Sequence, residues 1–314
     1  MTITTITRCC GALLLITMLA GCQRPEPPPV TPDATELDEP GVYTVAKFNT
    51  RMENDYGGYP TTIYYPQEGG AAFPAVVFSP GLASNKGLNR WVGDHLASHG
   101  YVVLIFTAPF PVLLQTHQQE AGFGLGFERL ELLNSDPESP LYGMVDPQTR
   151  AIMGHSLGAM ASLRAGAYMD VDAIVPLAPH LVEEEALQAI TAPTQIQAAT
   201  QDCITFPASS VSDYQLLGSA QKQLININGG NHVSFNDADS VAEIVGGSLF
   251  DCPSVIDTYD HHQRLSRRYF TAWLNYFLKQ QEQFEPYLFG ALAQQDLASQ
   301  LLTEWQFEML SLQP

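Results

Sequence analysis

Residues 154–158 read Gly154-His155-Ser156-Leu157-Gly158, a G-x-S-x-G pentapeptide. In this pattern a serine occupies a sharp turn between a strand and a helix, and the glycines let strand and helix approach with no Cβ between them. The turn lifts the serine Oγ clear of the sheet edge. The flanks fit that context. Arg150-Ala151-Ile152-Met153 reads as a short strand running into the turn, and the small residues from Ala159 to Ala167 suit a helix. A five-residue pattern recurs by chance, so the strand–turn–helix context carries the weight.

The surrounding chain extends the pattern. Short apolar runs at 74–79, 101–106, 173–177, 194–199 and 223–227 read as buried strands. They alternate with helical stretches such as 91–99, which Gly100 ends. Residues 264–278 form an amphipathic helix with Tyr269, Phe270, Trp273, Leu274 and Phe277 on one face. This alternation predicts an α/β class with a mostly parallel twisted sheet and helices on both faces, and the G-x-S-x-G turn is the one used by the α/β-hydrolase fold, which is the expected fold. The catalytic domain is placed at 41–283. Residues 284–314 are expected to be a helical extension packed on it, because Leu297, Leu301, Trp305 and Met309 fall four apart.

A seryl hydroxyl is a weak nucleophile until a histidine takes its proton, and a carboxylate orients that histidine. In this fold the three follow the order Ser, acid, His, each on a loop after a strand. His232 follows the strand 223–227 through Gly229-Gly230-Asn231 and is the expected base. His180 precedes any candidate acid and is out of order, so it is assigned to the substrate cleft or an ordinary loop. His155 is expected at the cleft rim, or packed beside the oxyanion site. His261 and His262 are read as surface or helix-start residues. Asp202, just past the strand 194–199, is the expected acid, with Asp213 as its nearest competitor. Asp170 and Asp172 lie at the wrong end of the sheet. The oxyanion requires two donors, expected to be the main-chain N–H groups of Leu157 and Leu82. No metal or organic cofactor is expected.

Charge narrows the partners. Fourteen Lys and Arg against 33 Asp and Glu leave a net charge of −19, so nucleic acid is not an expected partner. The acidity is read as a solvated surface rather than a binding site. The N-terminus is read as a targeting segment: Arg8, then an apolar run from Ala12 to Ala20 that is too short to span a membrane. Leu19-Ala20-Gly21-Cys22 matches a bacterial lipobox. Residues 1–21 are thus expected to be a lipoprotein signal peptide, with lipidated Cys22 as the membrane anchor. Residues 22–40, rich in proline and acid, would form a tether. The expected location is the cell envelope, outer membrane or periplasm-facing, and Gln23 after the lipid-bearing cysteine favours the outer membrane. Once Cys9, Cys10 and Cys22 are accounted for, Cys203 and Cys252 remain. They are expected to be bonded in an oxidising compartment, with two buried free thiols as the alternative. A monomer is expected.

The chain also resembles the bacterial polyesterase–lipase–cutinase family of PET hydrolase-like serine esterases, near the dienelactone-hydrolase and platelet-activating-factor-acetylhydrolase-like α/β-hydrolases. The stretches that carry the resemblance are Ser79-Pro80-Gly81, DHLASHGYVV (94–103), SPLYGMVD (139–146), IMGHSLGA (152–159), AATQDCITFP (198–207) and ININGGNHVSF (225–235). It implies the triad Ser156, Asp202 and His232 and the oxyanion amides of Leu82 and Leu157. With the residue reading above, the expected function is a serine carboxylester hydrolase acting through an acyl-enzyme on short- to medium-chain or polyester-like esters, small-molecule or polymeric. Polyester-degrading members carry an aromatic residue after the Pro-Gly of the oxyanion loop and a tryptophan after the later Ala-Pro. Leu82 and His180 stand there instead, so no aromatic clamp is implied at these two positions. Cys203 matches a family disulfide position, while Cys252 lies farther beyond the histidine than the usual partner. A Cys203–Cys252 bond would tie the acid loop to the segment after His232. Two other readings stay open: a lipase or acetylhydrolase acting on lipids, and a non-catalytic surface-binding lipoprotein.

Overall fold

A computed structural model describes residues 37–67, 72–237 and 259–309. The signal segment, Cys22, most of the tether and Cys252 lie outside the described residues.

Nine strands form one sheet in the order β1-β2-β4-β3-β5-β6-β7-β8-β9. β1 (Val45–Asn54) and β2 (Gly57–Pro66) make an antiparallel hairpin, and β2 pairs antiparallel with β4 (Val102–Phe106). From β4 onward β3 (Phe73–Ser79), β5 (Val145–His155), β6 (Ala173–Leu177), β7 (Thr194–Ala199) and β8 (Gln221–Ile227) run parallel. All five strands read from apolar runs are present. This is the α/β-hydrolase fold.

Side chains alternate between two cores, as a pleated strand requires. Val77, Leu104, Ile152, Ile174 and Ile196 face one side. There they meet α2 (His117–Ser135), α3 (Leu157–Gly166), α4 (Glu184–Ala189) and α5 (Pro207–Leu216). Val76, Phe78, Val103, Ile105, Met153 and Val175 face the other. That side is covered by α1 (Arg90–Ser98), α6 (Tyr259–Lys279) and α7 (Glu285–Leu288). Both faces are apolar and buried, which is why the parallel strands read as continuous runs rather than alternating ones.

One part of the interior is polar. Gln195 Nε2 donates to Gln223 Oε1 at 2.6 Å and to Tyr269 O at 3.0 Å, and Gln197 Nε2 donates to Gln195 Oε1 at 2.9 Å. Ser266 Oγ then donates to Gln197 Oε1 at 2.6 Å. These glutamines bind β7 and β8 to α6 with their polar atoms satisfied, as burial demands.

Two boundaries differ from the expectation. Leu37 and Asp38, assigned to the tether, are buried, and Arg268 grips Asp38 through Nε and Nη2 at 2.8 and 2.7 Å. The packed domain therefore begins by residue 37. The C-terminal extension is only partly helical. It contains α7 and α8 (Ala291–Ala298), after which Leu302–Met309 is a strand, β9, antiparallel to β8. The open edge of β8 offers a row of main-chain donors and acceptors, and the aromatic and branched residues of 302–309 suit a strand that pairs with it.

Candidate active site

Ser156 lies between β5 and α3 with φ 57° and ψ −119°. A non-glycine residue at positive φ is strained, and such strain is held where the surrounding packing over-determines it. Gly158 shows how tight the turn is: a Cβ there would lie 2.0 Å from Ser79 O. Gly81 shows how closely the β3 loop covers Ser156, since a Cβ on it would sit 2.9 Å from Ser156 Cβ and 3.3 Å from His155 O. Ser156 N–H donates to Leu177 O at 2.9 Å, which fixes the turn to β6.

His232 Nε2 lies 2.9 Å from Ser156 Oγ, and its Nδ1 lies 2.8 Å from Asp202 Oδ2. The carboxylate accepts at Nδ1, so Nδ1 carries the proton and Nε2 is free to accept from the serine. Asp202 follows β7 and His232 follows β8, so the carboxyl ends of three parallel strands bring together residues 76 positions apart at the widest. Asp202 and His232 are both buried, while Ser156 is partly exposed. Burial opposes ionisation of Asp202, but the facing His232 and hydrogen bonds from His232 and Thr205 outweigh it and hold the carboxyl below its ordinary range.

The supporting bonds are local. Asp202 Oδ1 accepts from the N–H groups of Ile204 and Thr205 at 2.9 and 2.8 Å. The Thr205 hydroxyl lies 2.8 Å from Asp202 Oδ2 and 3.1 Å from both Ala178 O and His232 Nδ1. On the histidine loop, Asn231 Oδ1 accepts from Val233 and Ser234 N–H, and Asn231 N–H donates to Ser234 Oγ at 3.0 Å. That reciprocal cap starts the short 3-10 turn His232–Phe235 and fixes the imidazole's approach. Thr205 was not singled out from sequence. Its signal is the D-x-x-T spacing, in which an aspartate and a following threonine close a turn on each other.

Leu157 is the first residue of α3, where a helix leaves its opening N–H groups without an intrahelical partner and carries partial positive charge. On the β3 loop, Ala83 N–H donates to Pro111 O at 2.7 Å and Ser84 N–H to Gly81 O at 3.2 Å. The N–H of Leu82, between Gly81 and Ala83, has no protein acceptor among the described residues.

Other expectations are corrected or refined. His155 is not at the cleft rim: it is 2% exposed, its Nε2 faces the main-chain oxygen of His232, and its ring packs on Phe235. Burial, then the adjacent His232, holds its pKa well below the usual range. His262 is not a surface residue. It is fully buried in α6, edge-on to Phe235, and burial lowers its pKa to about 3. His180 is exposed on the loop after β6. Asp213, the competing acid, is buried in α5 and accepts from Val182 N–H, while Asp202 is the carboxylate at His232. Cys203 is disulfide-bonded. Among the described residues no cluster of His, Cys, Asp or Glu is arranged to hold a metal ion.

A family model described as PET hydrolase-like matches residues 24–303. The chain belongs to this family. Relatives match it in sequence at modest identity. Cutinase est1 of Thermobifida alba is 32% identical over 180 residues, 56% of this chain and 58% of that protein. Cutinase 1 of Thermobifida cellulosilytica is 28% identical over 200 residues, 62% of this chain and 74% of that protein. A bis(hydroxyethyl) terephthalate hydrolase of Streptomyces coelicolor is 28% identical over 206 residues, 64% of each. The chain thus spans less than two thirds of the Thermobifida alba cutinase. Within the PET hydrolase-like family, the match covers every element that carries Ser156, Asp202 and His232.

Proposed function

We propose that this PET hydrolase-like chain is a serine carboxylester hydrolase that cleaves polyester-like esters through an acyl-enzyme. The observation that carries the reading is the relay Ser156 Oγ–His232 Nε2–His232 Nδ1–Asp202 Oδ2, at 2.9 and 2.8 Å, on a strained nucleophile turn. A protein that only binds has no use for that strain. The named activities of the cutinase and terephthalate-ester hydrolase relatives support the choice of ester bonds.

His232 Nε2 takes the Ser156 proton as Oγ attacks the ester carbonyl. The N–H groups of Leu157 and Leu82 receive the oxyanion, and Asp202 stabilises the imidazolium that forms. The alcohol leaves with the proton from Nε2. Water then attacks the acyl-serine, giving its proton to Nε2, and the acid departs as Ser156 is restored. Lipidation at Cys22 would hold this chemistry at the cell envelope, and a lipid mass on Cys22 in membrane-extracted protein is the corresponding observation.

The test is hydrolysis of p-nitrophenyl esters of increasing chain length by the native chain, Ser156→Ala and Asp202→Asn. Ser156→Ala is expected to abolish turnover, and Asp202→Asn to lower kcat by about 10³–10⁴-fold. Full activity in Ser156→Ala overturns the assignment. A turnover maximum at long acyl chains would replace the polyester reading with a lipase.

A further inference from the structure

Exposed large apolar side chains concentrate at the end of the sheet that carries Ser156. The loop between β4 and α2 presents Phe110, Val112, Leu113 and Leu114 at 56, 70, 42 and 76% exposure. Leu82 on the oxyanion loop and Phe206 after the acid turn are also exposed. Four large apolar side chains held in water within five residues carry a free-energy cost, and a contiguous patch of that kind marks an interaction surface.

The loop is built rather than loose. Phe110 N–H donates to Gln118 Oε1 at 3.0 Å, and Leu113 N–H donates to Phe110 O at 3.1 Å. It is also joined to the oxyanion loop at two points: Ala83 N–H to Pro111 O at 2.7 Å, and Lys86 N–H to Thr107 Oγ1 at 2.9 Å. Pro111 is thus one hydrogen bond and one residue away from Leu82, and Gly81 next to it lies against Ser156. An anchor that served only to tether the protein would have no need of this connection.

Charge indicates what the patch meets. No residue from 107 to 115 is charged, and the chain as a whole carries −19. An anionic membrane is repelled by that charge and finds no Lys or Arg on the loop to offset it. An uncharged, water-insoluble polyester matches a neutral apolar loop.

Resting on the hydrolase reading above, we infer that Phe110–Leu114 is a docking loop for the surface of a solid, uncharged polyester, and that it seats the polymer against the oxyanion loop. Burying the side chains of Val112 and Leu114 in the polymer supplies much of the adsorption. Soluble esters reach Ser156 without it.

The test uses Ser156→Ala as an inactive background, with and without Val112→Ser plus Leu114→Ser, adsorbing to polycaprolactone nanoparticles and to neutral phosphatidylcholine vesicles. Both substituted side chains are solvent-exposed, and an unchanged melting temperature verifies folding. The pair is expected to lower adsorption to the polyester by about tenfold or more. In the active chain, the same pair should leave kcat/KM on p-nitrophenyl acetate within about twofold and slow polymer cleavage. Unchanged adsorption to the polyester overturns the proposal. So does loop-dependent adsorption to the vesicles alone, or an equal loss on the soluble ester. Ser156-independent turnover of the soluble ester would instead overturn the hydrolase reading itself, so the two failures are separate.

Discussion

His155 Nε2 lies 3.0 Å from the main-chain oxygen of His232, and the two imidazole rings are 4.7 Å apart with a 41° tilt. A carbonyl oxygen only accepts, so Nε2 carries the proton and His155 is the donor. Burial keeps the His155 ring neutral. The residue preceding Ser156 thus holds the main chain of His232.

From this bond we expect His155 to position His232. His155→Phe keeps an aromatic ring but loses the donor, and should lower kcat about tenfold, equivalent to ~1.4 kcal/mol, with KM within about twofold. His155→Gln places an amide N–H near the Nε2 position and should recover most of the loss. Steady-state kinetics on a soluble ester separates kcat from KM. A purely structural role would lower the melting temperature of both variants with no rescue by glutamine.

Asp213 gives a pH-dependent expectation. Its Oδ1 accepts from Val182 N–H at 3.1 Å, its Oδ2 has no partner among the described residues, and burial raises its pKa to about 7. The folded state therefore holds this proton more tightly than the unfolded chain. Its contribution is fully present below the ordinary carboxylate range and is lost as pH rises through about 7. Asp213→Asn keeps the acceptor for Val182 and cannot ionise. Relative to the native chain it should gain stability between pH 5 and pH 8, by an amount on the order of a few kcal/mol, since each unit of pKa shift is worth about 1.4 kcal/mol. Urea unfolding of both proteins at the two pH values measures this. An equal difference at pH 5 and pH 8 would contradict it.

Some of this architecture is legible in the chain and some is not, for physical reasons. Ser156, Asp202 and His232 can be read because each sits just past a buried apolar strand, and the parallel sheet aligns those ends. The burial of His155 and His262 cannot be read, because it depends on Phe235 and Gly230 arriving from elsewhere in the chain: a Cβ on Gly230 would lie 1.9 Å from His262 Nδ1. β9 reads as a helix for a different reason. Residues four apart share a face of a helix, but four is an even number, so they also share a face of a strand. Trp305 and Met309 satisfy both patterns. What decides between them is the unpaired edge of β8, which pairs Ile225 with Trp305 and Gln221 with Met309. That edge is a tertiary fact with no local trace.

Arg268 links both ends of the described fold. Its guanidinium reaches Asp38 ahead of β1, and its Nη1 donates to Asp296 of α8 at 2.8 Å, where Tyr269 Oη also donates at 2.9 Å. Arg268 and both carboxylates are largely buried, with side-chain exposures of 12, 7 and 11%. Removing the cation would leave two desolvated carboxylates with no counter-charge. Arg268→Met keeps the apolar stem and should cost about 3–5 kcal/mol, lowering the melting temperature by roughly 10 °C. Arg268→Lys should recover only part of this, because an ammonium cannot make the paired contact with Asp38 while reaching Asp296. Replacing Asp38 and Asp296 by Asn in the Arg268→Met background should restore stability beyond additivity, since it removes the uncompensated charge itself. Chemical unfolding of the native chain, Arg268→Met, Asp38→Asn plus Asp296→Asn, and the combined variant measures the coupling. Additive losses would mean that the three residues act independently.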